Sequence, residues 1–488
     1  MTSKRAAILK FTLRWGIAVV GITWIVMQLT IRDRVNVVLA DGTVRSVALR
    51  EPATEDSSQF LIEGQTEPVA RADVVSQPDR KTVVLADSKA EVKLLGLHLR
   101  GDLNRSPEVD QLVVANPNGN GGIRVRPDEI AGGFTVRTPR PVVEKGLATM
   151  GREANPWLLA LAIAIFPVTM LLTSLRWNEI LRSQDIHLPF KRVFVLNMVG
   201  NFYNSFFPGS TGGDFLKAYY VGRQTSHKIR AMLSVFVDRV IGLLALVILG
   251  GTMATYGFFS ATDAATRANV NLFELFMDGK GPLNPTARAC LQVVLGCIVI
   301  CLGSIVAGGI IASSRIRTAL GFDKLVSKLP MQHHLDKVRE SGRLYKRRLP
   351  WFAVWIALTF PIHITVVISA IIAGRAFGLD IAWPFYFVCV PVMVLVAALP
   401  LSPQGAGVME YFGFLLLAKQ GATVSEVLAL TLSIRFVQIF WNLIGGLFTL
   451  GGHYAAPTAG YDAIADEDTE SGSPDGSLDK GTPAPAPV

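Results

Sequence analysis

Six apolar runs, near residues 156 to 175, 231 to 258, 288 to 313, 350 to 374, 384 to 400 and 426 to 450, constrain this chain more than any other feature. Each approaches the roughly 20 residues that an α-helix needs to cross the hydrocarbon of a bilayer. With 50% hydrophobic residues, 17% charged residues and a mean hydropathy of +0.39, the chain is too apolar for an ordinary soluble protein of its 488 residues. It reads as a polytopic α-helical membrane bundle. The net charge of +9 could point to nucleic acid, but the cations gather in short loops beside the apolar runs, where they set topology. Nucleic acid is therefore the poorer reading, and no nucleic-acid partner is expected.

Lys4, Arg5, Lys10 and Arg14 precede a further apolar run from Trp15 to Ile31 that has no small-residue cleavage site after it. Residues 1–31 are expected to be a signal anchor with a cytoplasmic N-terminus. The chain then changes character over 32–152, where alternating apolar residues and turn pairs replace continuous apolar runs. "VNVVLADGTVRSVAL" predicts a hairpin turning at Asp41-Gly42, and "KTVVLADSKAEVKLL" repeats its V-V-L-A-D core. "QLVVANPNGNGGIRVRP" and "GGFTVRTPRP" add strand and turn signals. A small β-rich extracytoplasmic domain is expected, with a binding or spacing role and room for a protein partner.

The membrane region is expected over 153–455. The loop from Ser314 to Pro350 is dense in Lys and Arg and so cytoplasmic by the positive-inside rule. Basic residues also flank the segment 193–222, at Arg176, Arg182, Lys191 and Arg192 before it and Arg223, Lys228 and Arg230 after it. If both flanks are inside, the intervening segment enters the membrane and returns. The residues after Ala456 are rich in Pro, Gly, Ser and acid, so 456–488 is expected to be a disordered cytoplasmic tail. Neither the acidic "DEDTE" there nor His333-His334 has the surroundings of a metal site. Cys290, Cys297, Cys301 and Cys389 all fall in apolar segments without ligand spacing. No metal and no cofactor is expected.

The segment that enters and returns contains "NSFFPGSTGGDFLKAYY", residues 204 to 220. Pro208 and Gly209 end one helix after Asn204, and Thr211, Gly212, Gly213 and Asp214 have the spacing of a capped helix start. Backbone that breaks at membrane depth is tolerated only where protein or a wet cavity satisfies it. A helix start exposes amide groups and positive partial charge to an anion, and Lys217 adds a full charge one turn on. "AALPLSPQGAGVMEYFG" repeats the device: Pro400 and Ser402 match Pro208 and Ser210, Gly405 matches Gly213, and Tyr411-Phe412 match Tyr219-Tyr220, with Ser402 as N-cap and Pro403 at the first helical position. Two broken or re-entrant helices in corresponding halves of a bundle mark a midplane binding site. Asp238, Arg239, Glu410 and Arg435 are ionisable residues inside apolar runs, costly in hydrocarbon and so facing a cavity or a partner. Asp238 and Arg239 point about 100° apart on a helix and should pair elsewhere. A structural salt bridge is the plainer reading for Asp238.

Taken together and in order, "NSFFPGSTGGDFLKAYYVGR", "VDRVIGLLAL", "PLSPQGAGVMEYF" and the arginine of "SIRFVQIFWNLIGG" resemble the signature blocks of the lysylphosphatidylglycerol synthase transmembrane-region family, the flippase-like integral membrane proteins. The resemblance covers about residues 156 to 452. It implies a lipid translocase in the plasma (inner) membrane whose partner is a lipid with an anionic headgroup, either phospholipid or polyprenyl phosphate. Bifunctional members carry a soluble domain after the membrane part; here a short tail follows, so synthase activity is not expected. The β-rich insertion has no counterpart in the resemblance, and Lys217 stands where the family more often has Arg.

On this reading Ser210, Thr211, Gly212, Gly213, Ser402 and Gly405 border the substrate. Lys217, Arg239 and Arg435 compensate its charge, and Asp214 and Glu410 cap or gate. A membrane-embedded transferase using Asp214, Glu410 or Asp238 as general base is the alternative from another class, and a non-transporting scaffold a third.

Overall fold

The computed structural model describes residues 31–39, 42–54, 57–65, 67–76, 82–100, 108–117, 121–131, 134, 142–206, 212–225, 228–270, 283–312, 349–399 and 405–450, together with Thr23. The expected anchor and tail lie outside these residues, as do His333-His334 and nearly all of the basic loop.

Among the described residues ten strands precede the bundle helices: β1 (Arg34–Val38), β2 (Val44–Ala48), β3 (Gln59–Phe60), β4 (Val69–Ala70), β5 (Val74–Val75), β6 (Thr82–Val84), β7 (Glu91–Arg100), β8 (Glu108–Ala115), β9 (Gly122–Val125) and β10 (Val143–Glu144). β1 and β2 form the hairpin that the Asp-Gly pair predicts, with Val38 opposite Val44 and Gly42 at φ 76°. The repeated motif forms a second hairpin, β6–β7, that continues through β8 and β9 in an antiparallel sheet. β1 also pairs with β10 and β5. The two ends of this β-rich stretch meet: Gly146 donates its N–H to Asp33 Oδ1 at 2.7 Å and Ala148 donates to the Ile31 carbonyl.

The helices are α1 (Leu147–Glu153), α2 (Pro156–Ile165), α3 (Pro167–Ser183), α4 (Phe190–Phe206), α5 (Gly212–Gly222), α6 (Lys228–Ser260), α7 (Ala264–Ala268), α8 (Pro285–Ala312), α9 (Leu349–Ala376), α10 (Trp383–Ala397), α11 (Val408–Leu417) and α12 (Val424–Gly446). Asn155 caps α2, and the proline that opens α3 breaks the run at Phe166 because it brings no amide donor. Among the described residues five segments are long and apolar enough to cross a bilayer: Pro156–Ser183, Lys228–Ser260, Thr286–Val306, Pro350–Ala376 and Val424–Thr449. The expected run at 384 to 400 yields only the 15-residue α10, shorter than a crossing. The chain is thus a multi-pass helical membrane protein.

α2 and α3 run antiparallel to α9 along their whole length. Asn155 donates its N–H to the Ala376 carbonyl at 2.9 Å, Ser369 Oγ donates to the Ala162 carbonyl at 2.9 Å, and Arg176 Nη1 donates to Thr359 Oγ1 at 2.9 Å. The two broken segments are antiparallel helical hairpins. In the first, the start of α5 presses on the middle of α4 so closely that a Cβ at Gly213 would overlap the Gly200 carbonyl. In the second, Gly405 lies against Ala397 and Gly413 against Met393.

Candidate functional site

Helix α5 begins at Gly212, so Asp214 is its third residue, as the spacing requires. Its carboxylate is shared: Arg239 Nε of α6 donates to Oδ2, Asn204 Nδ2 of α4 donates to Oδ1 at 3.4 Å, and Lys217 Nζ lies 3.7 Å from Oδ1. Asn204 also accepts from the Gly213 N–H at 2.8 Å, which ties one free amide of the helix start to α4. Lys217 is buried. Its Nζ donates to Asn197 Oδ1 at 2.6 Å and lies 5.4 Å from the centre of the Trp177 ring. Asn197 in turn donates to Ser174 Oγ at 2.9 Å.

A second pair stands beside this network. Arg176 Nε of α3 donates to Asp238 Oδ1 at 2.9 Å, and its other nitrogens reach Thr359 Oγ1 and the Asp238 carbonyl. Asp238 and Arg239 therefore do pair with different partners. Arg176 is a correction: placed by its sequence among the loop cations, it is buried inside the bundle. An arginine is tolerated there because its fork is satisfied by a carboxylate, a hydroxyl and a carbonyl at once. Lys217 and Arg239 thus share Asp214, while Arg176 holds Asp238.

The second hairpin carries its own pair. Arg435 of α12 donates through Nε to Glu410 Oε1 at 2.8 Å and through Nη2 to Oε2 at 3.1 Å and to the Gly405 carbonyl at 3.1 Å. Glu410 is 1% exposed, and its Oε2 also accepts the Gly407 N–H at 2.8 Å. Helix α11 starts at Val408 behind Gly407, and the expected cap at Ser402 and Pro403 lies outside the described residues. The start at Val408 has a conformational cause: Gly405 and Gly407 sit at φ 68° and 84°, a region that ends helical progression and favours glycine. This longer break moves the matching of the two hairpins by one helical turn. Glu410, not Ala406, corresponds to Asp214, and Arg435 to Arg239.

Of the residues expected to bind substrate, Asn204, Gly213, Asp214, Lys217 and Arg239 come together at the first hairpin, and Gly405, Glu410 and Arg435 at the second. Gly212 opens α5 beside the first group. Asp238 faces Arg176. Ser210, Thr211 and Ser402 lie outside the described residues. Sequence reasoning missed Asn197, Thr359 and His363, whose ring nitrogen lies 3.0 Å from the Gly242 carbonyl. Each is a polar residue inside an apolar run, which was the available signal.

A family model described as the lysylphosphatidylglycerol synthase TM region matches residues 145–446, more than half of the chain and every helix from α1 to α12. The chain belongs to this family. The lysylphosphatidylglycerol synthase TM region thus begins after the β-rich stretch and contains both hairpins and both arginine–carboxylate pairs. The chain is also 27% identical over 109 residues to the UPF0104 membrane protein PH1989 of Pyrococcus horikoshii, a match covering 22% of this chain and 32% of that relative. It therefore spans about a third of the length of the curated relative it matches.

Proposed function

We propose that this member of the family moves an anionic lipid between leaflets, its headgroup passing the two hairpins while its acyl chains stay in the surrounding bilayer. The lipid class is a phospholipid or a polyprenyl phosphate, and the hairpins are re-entrant in the membrane. One observation carries the reading: at the start of α5 two cationic side chains, Lys217 and Arg239, converge on the single carboxylate of Asp214. A phosphate arriving at Lys217 and Arg239 would take the place of the Asp214 carboxylate in charge-assisted hydrogen bonds. The broken backbone beside it supplies amide donors of the kind that receive substrate carboxylates or phosphates in transporters with discontinuous helices. The β-rich residues 32–152 are placed on the extracytoplasmic side and the termini in the cytoplasm, in line with the basic residues around α3, α4 and α6.

Purified full-length protein in liposomes carrying fluorescent phosphatidylglycerol tests this reading. Leaflet exchange of the probe without covalent change is the expected result. A new lipid product would replace transport with a transferase reaction at Asp214 or Glu410, and neither exchange nor product would remove both.

A further inference from the structure

The two arginine–carboxylate pairs are related by more than likeness. Asp214 and Arg239 are 25 residues apart, and so are Glu410 and Arg435. Asp214 and Glu410 are each the third residue of the helix that follows the break, and Arg239 and Arg435 each the twelfth residue of the long helix after it. One shift of 196 positions carries 214 to 410, 228 to 424 and 239 to 435. The same shift carries the span of α3 onto the C-terminal part of α9, and these two helices are antiparallel and in contact.

The packing between the halves obeys the same rule. Gly445 of α12 lies against the Met198 carbonyl of α4, and Gly250 of α6 lies against Pro391 of α10. Shifting the first pair by 196 gives positions 394 and 249, within a helical turn of the second. Helices that correspond in sequence order thus run in opposite directions, as if rotated about an axis lying in the membrane plane. Counting crossings agrees. If each hairpin returns to its own side, α6, α8 and α9 reverse the chain three times between the two units.

We propose that the membrane region is an inverted repeat, α3–α6 and α9–α12, and that Asp214–Arg239 and Glu410–Arg435 are its two equivalent latches, one serving each leaflet. At each latch the carboxylate occupies, in the resting protein, the position that the anionic headgroup takes on the arginine. The headgroup displaces one carboxylate on entry, and the hairpin of that side opens. The other latch stays closed until the headgroup has crossed. Arginine suits the exchange, because a guanidinium fork, bidentate on Glu410 at the second latch, accepts a carboxylate or a phosphate in the same geometry. The latch role rests on the transport reading above; the inverted repeat does not.

The test is thiol labelling of the full-length protein in sealed vesicles, with its four cysteines replaced and a membrane-impermeant reagent on one side. Gln224→Cys, just after α5, should be labelled from the face opposite to Asp380→Cys, just before α10. Labelling of both from one face overturns the inverted repeat. For the latches, Asp214→Asn should raise labelling of Ser205→Cys from the Gln224 face, and Glu410→Gln should raise labelling of Ala406→Cys from the Asp380 face. A rise of about fivefold is expected for each, the lower end of ordinary site coupling. No rise, or a rise from the same face for both, overturns the latches. Should a single variant fail to accumulate, the paired changes Asp214→Asn with Arg239→Gln and Glu410→Gln with Arg435→Gln carry the same test without a stranded charge. None of these readouts needs a moving lipid. Opposite-face labelling beside a motionless phosphatidylglycerol probe would sink the lipid reading alone.

Discussion

The hairpin α4–α5 and the hairpin α10–α11 share a latch and differ along the seam behind it. In the first, Lys217 reaches across to Asn197 and onward to Ser174, so the seam is polar and charged. In the second, the corresponding positions are Gly413 and Met393, in direct apolar contact. What both halves keep is the carboxylate at the helix start and the arginine on the following span. The shared pair therefore belongs to the task both hairpins perform, whereas the lysine belongs to one side only. On the proposed reading both hairpins open and close, and Lys217 adds a preference for negative charge at the first.

The comparison breaks most easily through the arginines. Arg435→Ala leaves Glu410, 1% exposed, without its cation, and removing one partner of so buried a pair costs about 3 to 5 kcal/mol. Arg239→Ala leaves Asp214 with Lys217 and Asn204, so its loss of stability should be about half as large. Thermal unfolding in detergent checks the order, and an equal or reversed order would dissolve the distinction between the hairpins.

A smaller effect is expected from Gly213→Ala. The new methyl must push α5 away from the Gly200 carbonyl, at about 1 to 3 kcal/mol. Gly151→Ala, where a Cβ meets nothing within 4 Å, is the neutral control in the same unfolding measurement.

Lys217→Met should change fold stability by only about 1 kcal/mol, because the stem of the side chain is replaced in kind while a buried charge is removed. Its expected effect is on selectivity: exchange of phosphatidylglycerol should fall about tenfold relative to phosphatidylcholine. An unchanged ratio would place anion selection elsewhere than the first hairpin.

The smallest effect lies outside both hairpins. Burial, with Arg124 and Arg71 beside it, holds His98 of β7 below its ordinary value of 6.5. The unfolded chain then binds a proton that the folded strand refuses. Stability of the β-rich stretch should therefore fall as the pH drops below about 6.5, with little change above it. His98→Gln should flatten that slope in hydrogen exchange of β7 and β8 while leaving lipid exchange untouched. Loss of lipid exchange in that variant would mean that the hairpins depend on the β-rich stretch.

Much of this was legible in the residues because each feature has a local cause. The alternating residues on either side of the Asp-Gly pair form β1 and β2, the apolar run from residue 156 opens the bundle, and Asp214, Arg239, Glu410 and Arg435 stand out because apolar runs rarely carry charge. Two things were not legible. The matching of the halves was one turn out, since Pro, Gly and aromatic residues recur every few positions and fit either register; the φ of Gly405 and Gly407 decides it. The role of Arg176 was hidden because its partners, Asp238 and Thr359, come from helices distant in the chain. A cation near the end of an apolar run looks like a loop residue until the neighbouring helices are in place.

The most direct measurement is of the lipids that stay with the purified protein. Mass spectrometry should find an anionic lipid enriched over its share of the host membrane with the wild-type chain, and that enrichment abolished by Arg239→Gln and by Arg435→Gln in variants that still fold. Co-purified lipid matching the bulk membrane, or an enrichment indifferent to both arginines, would contradict the claim that these helix starts hold a negatively charged headgroup.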